Sequence, residues 1–254
     1  MKARRDILKG ASLLPLSAIL ANPALAKMVA DGVEMKSLNL ESGRTVKAGV
    51  ALPAVSNAPS VILIHEWWGL NDQILSVAAD FARQGYLAVA VDLYGGNVAT
   101  TPDEARANMK AVKASEAEET LKGWMEWAKN ERDSSGKVGT VGWCFGGGWS
   151  LNASIAAPVD ATVIYYGNVT RPASDLKKLK GPVQGHFATK DKWINKEMVA
   201  GFEAAMKEAG RPDPETYWYE ADHAFANPSG GRFDAEDAQL AWTRTMDFLG
   251  KNLA

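Results

Sequence analysis

The sequence predicts an α/β protein in which helices cover both faces of a mainly parallel sheet of about eight strands. Two observations lead to this prediction. Short apolar runs alternate along the chain with segments of helical periodicity, and several of these runs lack polar side chains altogether. A strand that is apolar throughout is buried on both faces, which is typical of parallel sheets packed between helices. In such sheets the functional residues collect at the carboxyl ends of the strands.

The predicted strands begin with a hairpin. Residues 35–40 and 45–52 flank a turn at Gly43 and form its two arms. Six further strands are predicted at residues 61–64, 86–91, 138–143, 161–166, 183–188 and 216–219.

The predicted helices lie between these strands. Helical spacing of apolar residues, or runs of strong helix formers, mark residues 74–82, 102–129 and 197–209, a helix after residue 144, and a last helix that carries Ala241, Thr245, Phe248 and Leu249 on one face.

The N-terminus has the pattern of an export signal. Arg4 and Arg5 form a twin-arginine pair, an apolar segment follows over residues 11–20, and the sequence Ala-Leu-Ala at 24–26 fits a cleavage site. We therefore expect a twin-arginine-type signal peptide over 1–26, export to the periplasm, and one domain over 27–254. A membrane anchor is the alternative, but the apolar segment is short for a bilayer. No stable membrane association is expected after cleavage.

Charge argues against nucleic acid as a partner. The chain has 28 Lys and Arg residues and 30 Asp and Glu residues; removal of residues 1–26 leaves 24 and 29, a net charge of about −5, without a basic cluster. Nucleic acid and anionic membranes are therefore not expected partners. No nucleotide motif is present, so no cofactor is expected. His65-Glu66 lacks the second histidine of a zinc H-E-x-x-H motif, and no metal is expected.

The only cysteine, Cys144, lies at the centre of a G-x-C-x-G sequence between a predicted strand and a predicted helix. This is the context of a nucleophile elbow, a sharp turn that presents one side chain above the sheet. The cysteine would then lie at the positive end of the following helix, which favours negative charge. A buried structural cysteine in a glycine-rich bend is the alternative.

A thiol nucleophile needs a base and a group that orients the base. Asp191 follows the predicted strand 183–188, and His223 follows the predicted strand 216–219. The order Cys144, Asp191, His223 is the nucleophile–acid–histidine order of α/β-hydrolases, and each residue lies at the carboxyl end of a strand. Alone, Asp191 could be a helix cap or a loop charge, and His223 could pair with Asp222 at the surface.

Glu66 lies directly after the carboxyl end of the predicted strand 61–64, where oxyanion-hole loops begin. The backbone N–H groups of Trp67 and Phe145 could together hold a developing oxyanion. A carboxylate at Glu66 would lie near Cys144, where it could keep the thiol protonated or remove its proton when substrate arrives. A salt bridge elsewhere is the alternative for Glu66.

The sequence resembles the dienelactone hydrolase family of α/β-hydrolases over about residues 61–249. The similarity rests on H-E-W-W-G-L, A-V-D-L-Y-G, K-V-G-T-V-G-W-C-F-G-G, A-T-K-D and A-D-H-A-F. The resemblance implies a triad of Cys144, His223 and Asp191, control of the thiol by Glu66, and an oxyanion hole at Trp67 and Phe145. It also implies a carboxymethylenebutenolidase-like activity on a small-molecule ester or lactone.

Two positions depart from the family pattern. Dienelactone-cleaving members carry substrate-binding arginines two residues after the tyrosine of D-L-Y and four residues after the histidine, where this chain has Gly96 and Asn227. Both carboxylate anchors are missing at these positions, although Arg171 or Arg232 could compensate. We therefore expect neutral esters to react faster than carboxylated ones.

The aromatic residues that flank the inferred site predict a pocket for an apolar or aromatic acyl group, and the alternative is that they belong to the core. They are Trp67, Trp68, Tyr94, Trp193 and Phe225. The leading hypothesis is thus an exported thiol hydrolase of a carboxylic ester, lactone or thioester. The second hypothesis is a non-enzymatic thiol sensor or ligand-binding protein on the same scaffold.

Overall fold

The computed structural model describes residues 16–20 and 22–254, which are built around an eight-stranded sheet. The strands are β1 (Glu34–Asn39), β2 (Thr45–Ala51), β3 (Ala58–Ile64), β4 (Leu87–Val91), β5 (Ser134–Trp143), β6 (Ala161–Tyr165), β7 (Val183–Ala188) and β8 (Glu215–Tyr219). Their order across the sheet is β1-β2-β4-β3-β5-β6-β7-β8. Strand β2 is antiparallel to β1 and β4, and every other neighbouring pair is parallel. The predicted mainly parallel sheet of about eight strands is confirmed.

The helices connect and cover these strands. They are α1 (Leu16–Leu20), α2 (Pro23–Ala30), α3 (Asp72–Arg83), α4 (Pro102–Ala111), α5 (Ala114–Asn130), α6 (Phe145–Ala156), α7 (Ala173–Leu176), α8 (Lys196–Glu208) and α9 (Ala235–Leu253). Strands β1 and β2 form the predicted hairpin, whose turn places Gly43 at φ +84°, a conformation that glycine adopts without steric cost.

The core lies on both faces of the sheet because successive side chains of a strand point to opposite sides. In β3, Val61 and Leu63 pack with residues of α3 and α9, whereas Ile62 and Ile64 pack with residues of α5 on the other face. A further apolar cluster fills the space between β6, β7 and helices α6 to α8. Helices on both faces are thus confirmed, and the sheet is a rigid platform for residues at its edge.

The prediction of one helix over 102–129 is wrong in one respect, because this segment forms two helices. Helix α4 ends at Ala111, Val112 and Lys113 are extended, and α5 begins at Ala114. Helix α4 buries only Ala105, whereas α5 buries six residues against the sheet. The break lets α5 turn its apolar face inward while α4 stays at the surface. Strong helix formers on both sides conceal this change of direction in the sequence.

The predicted export signal lies partly outside the described residues, which exclude 1–15 and 21. The twin-arginine pair is therefore not described. The described part packs on the domain: Ile19 and Leu20 are buried, and the Ser76 hydroxyl donates to the Ala26 carbonyl over 2.8 Å. The predicted cleavage site after Ala26 lies inside α2. Within the described ranges, none of the helices has the length and apolar character needed to cross a membrane.

Candidate active site

Cys144 occupies a strained turn between β5 and α6. Its φ of 55° and ψ of −116° lie outside the usual regions for a residue with a side chain. The turn is tight because the adjacent chain passes very close: a Cβ on Gly142 would meet the Gly146 carbonyl oxygen at 1.9 Å. The cysteine is free and partly exposed. This geometry is that of a nucleophile elbow, as the G-x-C-x-G sequence predicts.

The three residues expected to act together do meet at this turn. The His223 Nε2 atom lies 3.1 Å from the Cys144 Sγ atom, and His223 Nδ1 lies 2.6 Å from Asp191 Oδ2. The His223 side chain is mostly buried and the Asp191 side chain is fully buried. A thiol, an imidazole and a carboxylate are thus joined in one hydrogen-bonded chain, the arrangement that proton transfer during nucleophilic attack requires.

The electrostatics of these three hydrogen-bonded side chains favour a charged imidazole at His223. Burial lowers the pKa of His223, but its hydrogen bonds to Asp191 and Cys144 outweigh burial and raise the pKa to about 10. Burial also raises the pKa of Asp191, but bonds from His223 and from the Trp193 and Ile194 amides outweigh it and lower that pKa. The carboxylate is therefore ionised and suited to stabilise an imidazolium.

Two backbone N–H groups beside Cys144 have no acceptor among the described residues. They belong to Trp67, just after β3, and Phe145, the first residue of α6. The first N–H groups of a helix have no intrahelical partner and carry its positive end. Trp67 and Phe145 line the same cleft as Cys144. Their positions match the predicted oxyanion hole.

Glu66 lies in this cleft, but its oxygens are bonded to neighbours other than the thiol. Oε2 accepts from Asn227 Nδ2 at 2.6 Å and Oε1 accepts from the Tyr166 hydroxyl at 3.2 Å. Ser229 donates twice to Asn227 Oδ1, which fixes the amide with its nitrogen toward Glu66. Burial raises the pKa of Glu66, and the Asn227 hydrogen bond opposes this. The carboxylate is therefore fixed in place by Tyr166, which the sequence analysis did not single out, and by Asn227, which it noted only as the position of a missing arginine.

His65 holds the start of the loop that carries Glu66 and Trp67. Its Nδ1 lies 2.6 Å from the Glu66 carbonyl oxygen, and its Nε2 accepts from the Leu93 N–H at 3.2 Å. Since a carbonyl only accepts, Nδ1 carries the proton and the ring is neutral. Burial lowers the pKa of His65, which agrees with this state. The ring thereby ties the carboxyl end of β3 to that of β4.

A cleft of about 780 Å³ surrounds Cys144. Trp68 and Trp193 line it as expected; Trp193 is 60% exposed and contacts the His223 ring at a centroid distance of 5.2 Å. Tyr94 and Phe225, also expected in the pocket, are buried behind it instead. Tyr94 packs on His65 and Phe145, and Phe225 packs on Tyr166 and Tyr219. Both residues are close in sequence to site residues, but they support the cleft from behind. A sequence motif does not distinguish such a supporting residue from one that lines the cleft.

A family model described as "Dienelactone hydrolase family" matches residues 46–253. The chain belongs to the dienelactone hydrolase family. It is 30% identical over 237 residues to the carboxymethylenebutenolidase of Pseudomonas putida, which covers 87% of this chain and 97% of that protein. It is 29% identical over 245 residues to a putative carboxymethylenebutenolidase of Saccharolobus solfataricus, over 82% of this chain and 94% of the relative.

A solved structure shows the same fold. The crystal structure of a putative dienelactone hydrolase from Klebsiella pneumoniae matches 86% of this chain and 99% of its own, with a TM-score of 0.77 and 23% identity. The α/β-hydrolase fold and the resemblance to the dienelactone hydrolase family are therefore confirmed. As a member of this family, the protein is a hydrolase of lactone or ester bonds.

The positions where dienelactone-cleaving members carry arginine have other roles in this member. The Asn227 amide is occupied by Glu66 and Ser229. Gly96 does not line the cleft; its N–H donates to Asp92, and its φ is +91°. Neither position offers a cation to a bound substrate.

Proposed function

We propose that this protein is an exported hydrolase that cleaves a carboxylic ester, lactone or thioester through an acyl-enzyme on Cys144. The observation that carries the proposal is the continuous chain from Cys144 Sγ through His223 to Asp191, with contacts of 3.1 and 2.6 Å. Export is proposed from the twin-arginine pattern of residues 1–26.

Acylation begins when Cys144 Sγ, whose proton has already passed to His223 Nε2 within the hydrogen-bonded triad, attacks the substrate carbonyl carbon as a thiolate. The carbonyl oxygen becomes an oxyanion, which accepts hydrogen bonds from the Trp67 and Phe145 N–H groups. The intermediate collapses with cleavage of the C–O or C–S bond, and His223 returns the proton to the leaving alkoxide or thiolate. Asp191 stabilises the imidazolium between these two transfers.

Deacylation repeats these steps with water as the nucleophile. His223 removes a proton from the water as it attacks the thioester carbonyl, and the same two N–H groups hold the oxyanion. Collapse releases the carboxylic acid and returns the proton to Cys144. No cofactor takes part in this sequence.

Glu66 is proposed to control the protonation of Cys144 in the free enzyme. It lies in the same cleft, and its pKa is raised by burial. Its two oxygens are held by Asn227 and Tyr166 and make no hydrogen bond to the thiol, so direct contact with Cys144 requires a movement of the Glu66 side chain or of the thiol. Substrate entry is the event that would change this balance.

Cys144→Ala tests the nucleophile. We expect loss of ester hydrolysis on the order of a million-fold, because removing the nucleophile of a triad disables the whole unit. Thermal unfolding and circular dichroism check that the fold is retained. Turnover close to that of the unmodified enzyme would refute the mechanism.

A pre-steady-state measurement separates the hydrolase from a thiol sensor. An activated nitrophenyl ester should give a burst of nitrophenol equal to the enzyme concentration, followed by turnover, and mass spectrometry should find the acyl group on Cys144. Modification of the thiol without turnover would favour the sensor. Export is tested by fractionation of cells that express the full chain, with Arg4→Lys/Arg5→Lys expected to abolish periplasmic enzyme.

A further inference from the structure

We propose that Arg171 is the substrate-carboxylate anchor of this enzyme and directs it to esters or lactones with a carboxylate on the acyl side. This proposal rests on the proposed function and names its substrate class. It reverses the preference for neutral esters that Gly96 and Asn227 predict, because those two positions are not the only ones from which a cation can reach the cleft.

The Arg171 guanidinium lines the cleft and is held by neutral acceptors only. Nε donates to Asn152 Oδ1 at 2.7 Å, one terminal nitrogen donates to the Thr170 carbonyl at 2.6 Å, and the other donates to the Gly148 carbonyl at 3.3 Å. Among the described residues, no carboxylate lies within 4 Å of this cation. Asp175, the acidic residue that influences its charge, forms its ion pair with Lys178 instead.

Arg171 has two hydrogen-bond donors left for a planar anion. Three of its five N–H groups are occupied, which leaves one free on each terminal nitrogen, and two such donors match the two oxygens of a carboxylate. Burial lowers the pKa of Arg171. A partly desolvated cation without a carboxylate gains more from a bound anion than an exposed one does.

The neighbouring wall of the cleft also presents donors. Asn152 Oδ1 accepts the hydrogen bond from Arg171. The two N–H groups of Asn152 Nδ2 have no acceptor in the described part of the chain. Asn152 lines the cleft beside Arg171. This part of the cleft thus offers hydrogen-bond donors from Arg171 and Asn152 and one cation without a carboxylate partner. It favours a ligand group that accepts hydrogen bonds and carries negative charge.

The other cations of the cleft are less suited to this role. Arg106 is paired with Asp103 at 2.5 Å. Arg232 is exposed at the mouth, where its guanidinium lies 5.5 Å from the Trp193 ring. Neither is held by several hydrogen bonds as Arg171 is.

The geometry indicates the acyl side of the substrate. The leaving group takes its proton from His223 and must therefore lie on the histidine side of Cys144. Arg171 donates instead to the carbonyl of Gly148 in α6, four residues after Cys144 and therefore about 6 Å further along the helix axis. At about 1.5 Å per carbon–carbon bond, this places the carboxylate roughly four bonds from the scissile carbonyl.

A matched pair of esters tests the proposal. 4-Nitrophenyl hydrogen glutarate carries its carboxylate at this spacing, and 4-nitrophenyl methyl glutarate differs only by a methyl group on that carboxylate. Nitrophenol release is measured after subtraction of the uncatalysed rate. We expect kcat/KM to favour the acid by about tenfold or more, and Arg171→Gln to reduce this ratio to less than about threefold.

Two further variants complete the test. Arg132→Gln removes the same charge from an exposed site beside the amino end of β5 and should leave the ratio unchanged. Arg171→Lys keeps the charge without the planar fork and should give an intermediate ratio. Because both esters are measured in every variant, the ratio does not depend on the active fraction of each preparation.

The outcomes separate this proposal from the proposed function. Equal rates for the two esters, or a preference that survives Arg171→Gln, would overturn the Arg171 assignment while Cys144-dependent hydrolysis of the methyl ester stands. If neither ester is turned over faster than in Cys144→Ala, the proposed function fails and the Arg171 assignment fails with it.

Discussion

The two carboxylate oxygens of Asp191 have different partners. Oδ2 faces His223, whereas Oδ1 accepts from the Trp193 and Ile194 N–H groups at 2.8 and 3.1 Å. In Asp191→Asn the oxygen would stay with the two N–H groups and the NH₂ would face His223 Nδ1, which stabilises the wrong imidazole tautomer. We expect a loss of kcat on the order of ten-thousand-fold with little change in unfolding free energy.

The matched control for this variant is Asp222→Asn. Asp222 is exposed and adjacent to His223 in sequence, but no hydrogen bond or ion pair joins its carboxylate to the described residues. Its replacement should leave kcat within about twofold. If Asp191→Asn loses less than about tenfold, Asp191 is a loop cap and not the orienting acid.

Glu66 and Asn227 predict a shift in the pH–rate profile. Burial raises the pKa of Glu66, and the Asn227 hydrogen bond is the largest effect that opposes it. Asn227→Leu removes this bond and should raise the pKa further. We expect the acidic limb of kcat/KM to move to higher pH by about one unit, the equivalent of a hydrogen bond of about 1.4 kcal/mol.

The control is Ser229→Ala, which removes a donor to Asn227 but leaves the Asn227–Glu66 bond. Its acidic limb should stay near that of the unmodified enzyme. An acidic limb that is unmoved in Asn227→Leu would show that Glu66 need not be ionised for activity.

The positions of site residues were predictable where a motif fixes the backbone and not where only the fold brings residues together. Cys144 follows from its glycine turn, and Asp191 and His223 follow from their places after strands. The partners of Glu66 are Tyr166 and Asn227, which lie 100 and 161 residues away in the chain. No local pattern encodes such a pairing, although the position of Tyr166 directly after β6 marks it as a residue at the functional edge.

At the scale of elements, a buried polar cluster joins β7, β8 and α9. His186 Nδ1 lies 2.7 Å from the Tyr219 hydroxyl, and its Nε2 lies 2.9 Å from Gln184 Oε1 and 3.1 Å from Thr245 Oγ1. The pKa of His186 is lowered to about 3, first by burial and then by Arg244. The predicted strand 183–188 contains His186, but the bonds that His186 makes to other elements depend on the register of β7 and β8.

This cluster predicts acid sensitivity. The unfolded chain binds a proton at His186 below about pH 6.5, whereas the folded chain does so only near pH 3. The contribution of neutral His186 to the free energy of unfolding is therefore complete above pH 6.5. It falls as the pH falls from about 6.5 to about 3, by up to about 1.4 kcal/mol per pH unit for this one group. Urea unfolding at pH 7.0 and 5.5 measures this slope.

His186→Gln provides the comparison. The variant cannot titrate in this range, so its stability should depend less steeply on pH, even if its stability at pH 7 is lower because the hydrogen bonds change. Buried His65 remains in both proteins and contributes equally to both slopes. Identical slopes would show that His186 does not cause the acid sensitivity.

At the scale of the whole molecule, α1 and α2 cover part of the face formed by α3. Ile19 and Leu20 are buried in the full chain. Burial of such side chains contributes about 1.5–3 kcal/mol each before the cost of ordering the segment. We predict that a chain of residues 27–254 unfolds with a Tm lower by about 3–8 °C, without loss of kcat, because the active site lies at the carboxyl edge of the sheet.

Differential scanning calorimetry of the two chains checks this prediction. Full chains with Leu20→Ala and with Leu25→Ala give a matched pair, because Leu20 is buried and Leu25 is only half-buried. The first should lower the Tm more than the second. Equal Tm values for the full and shortened chains would show that residues 1–26, which include α1 and the first half of α2, add no net stability.

The layered architecture of the molecule was predictable from the sequence, whereas the order of the strands in the sheet was not. Apolar strands that alternate with helices indicate a parallel sheet between two helical layers, and the structure has this arrangement. The order that places β3 between β4 and β5 is not encoded in any one segment, because it depends on which edges pair once all strands exist. That order brings Glu66, after β3, into the cleft of Cys144, after β5.

The crowding at the elbow also determines which positions can vary as this enzyme evolves. A Cβ on Gly142 or Gly146 would lie about 2 Å from backbone oxygen atoms, so these sites accept no other amino acid without moving the chain. The cleft walls are free of this constraint: Met109 and Trp193 are exposed there. Mutant libraries for a new ester specificity should therefore keep the turn invariant and diversify the walls.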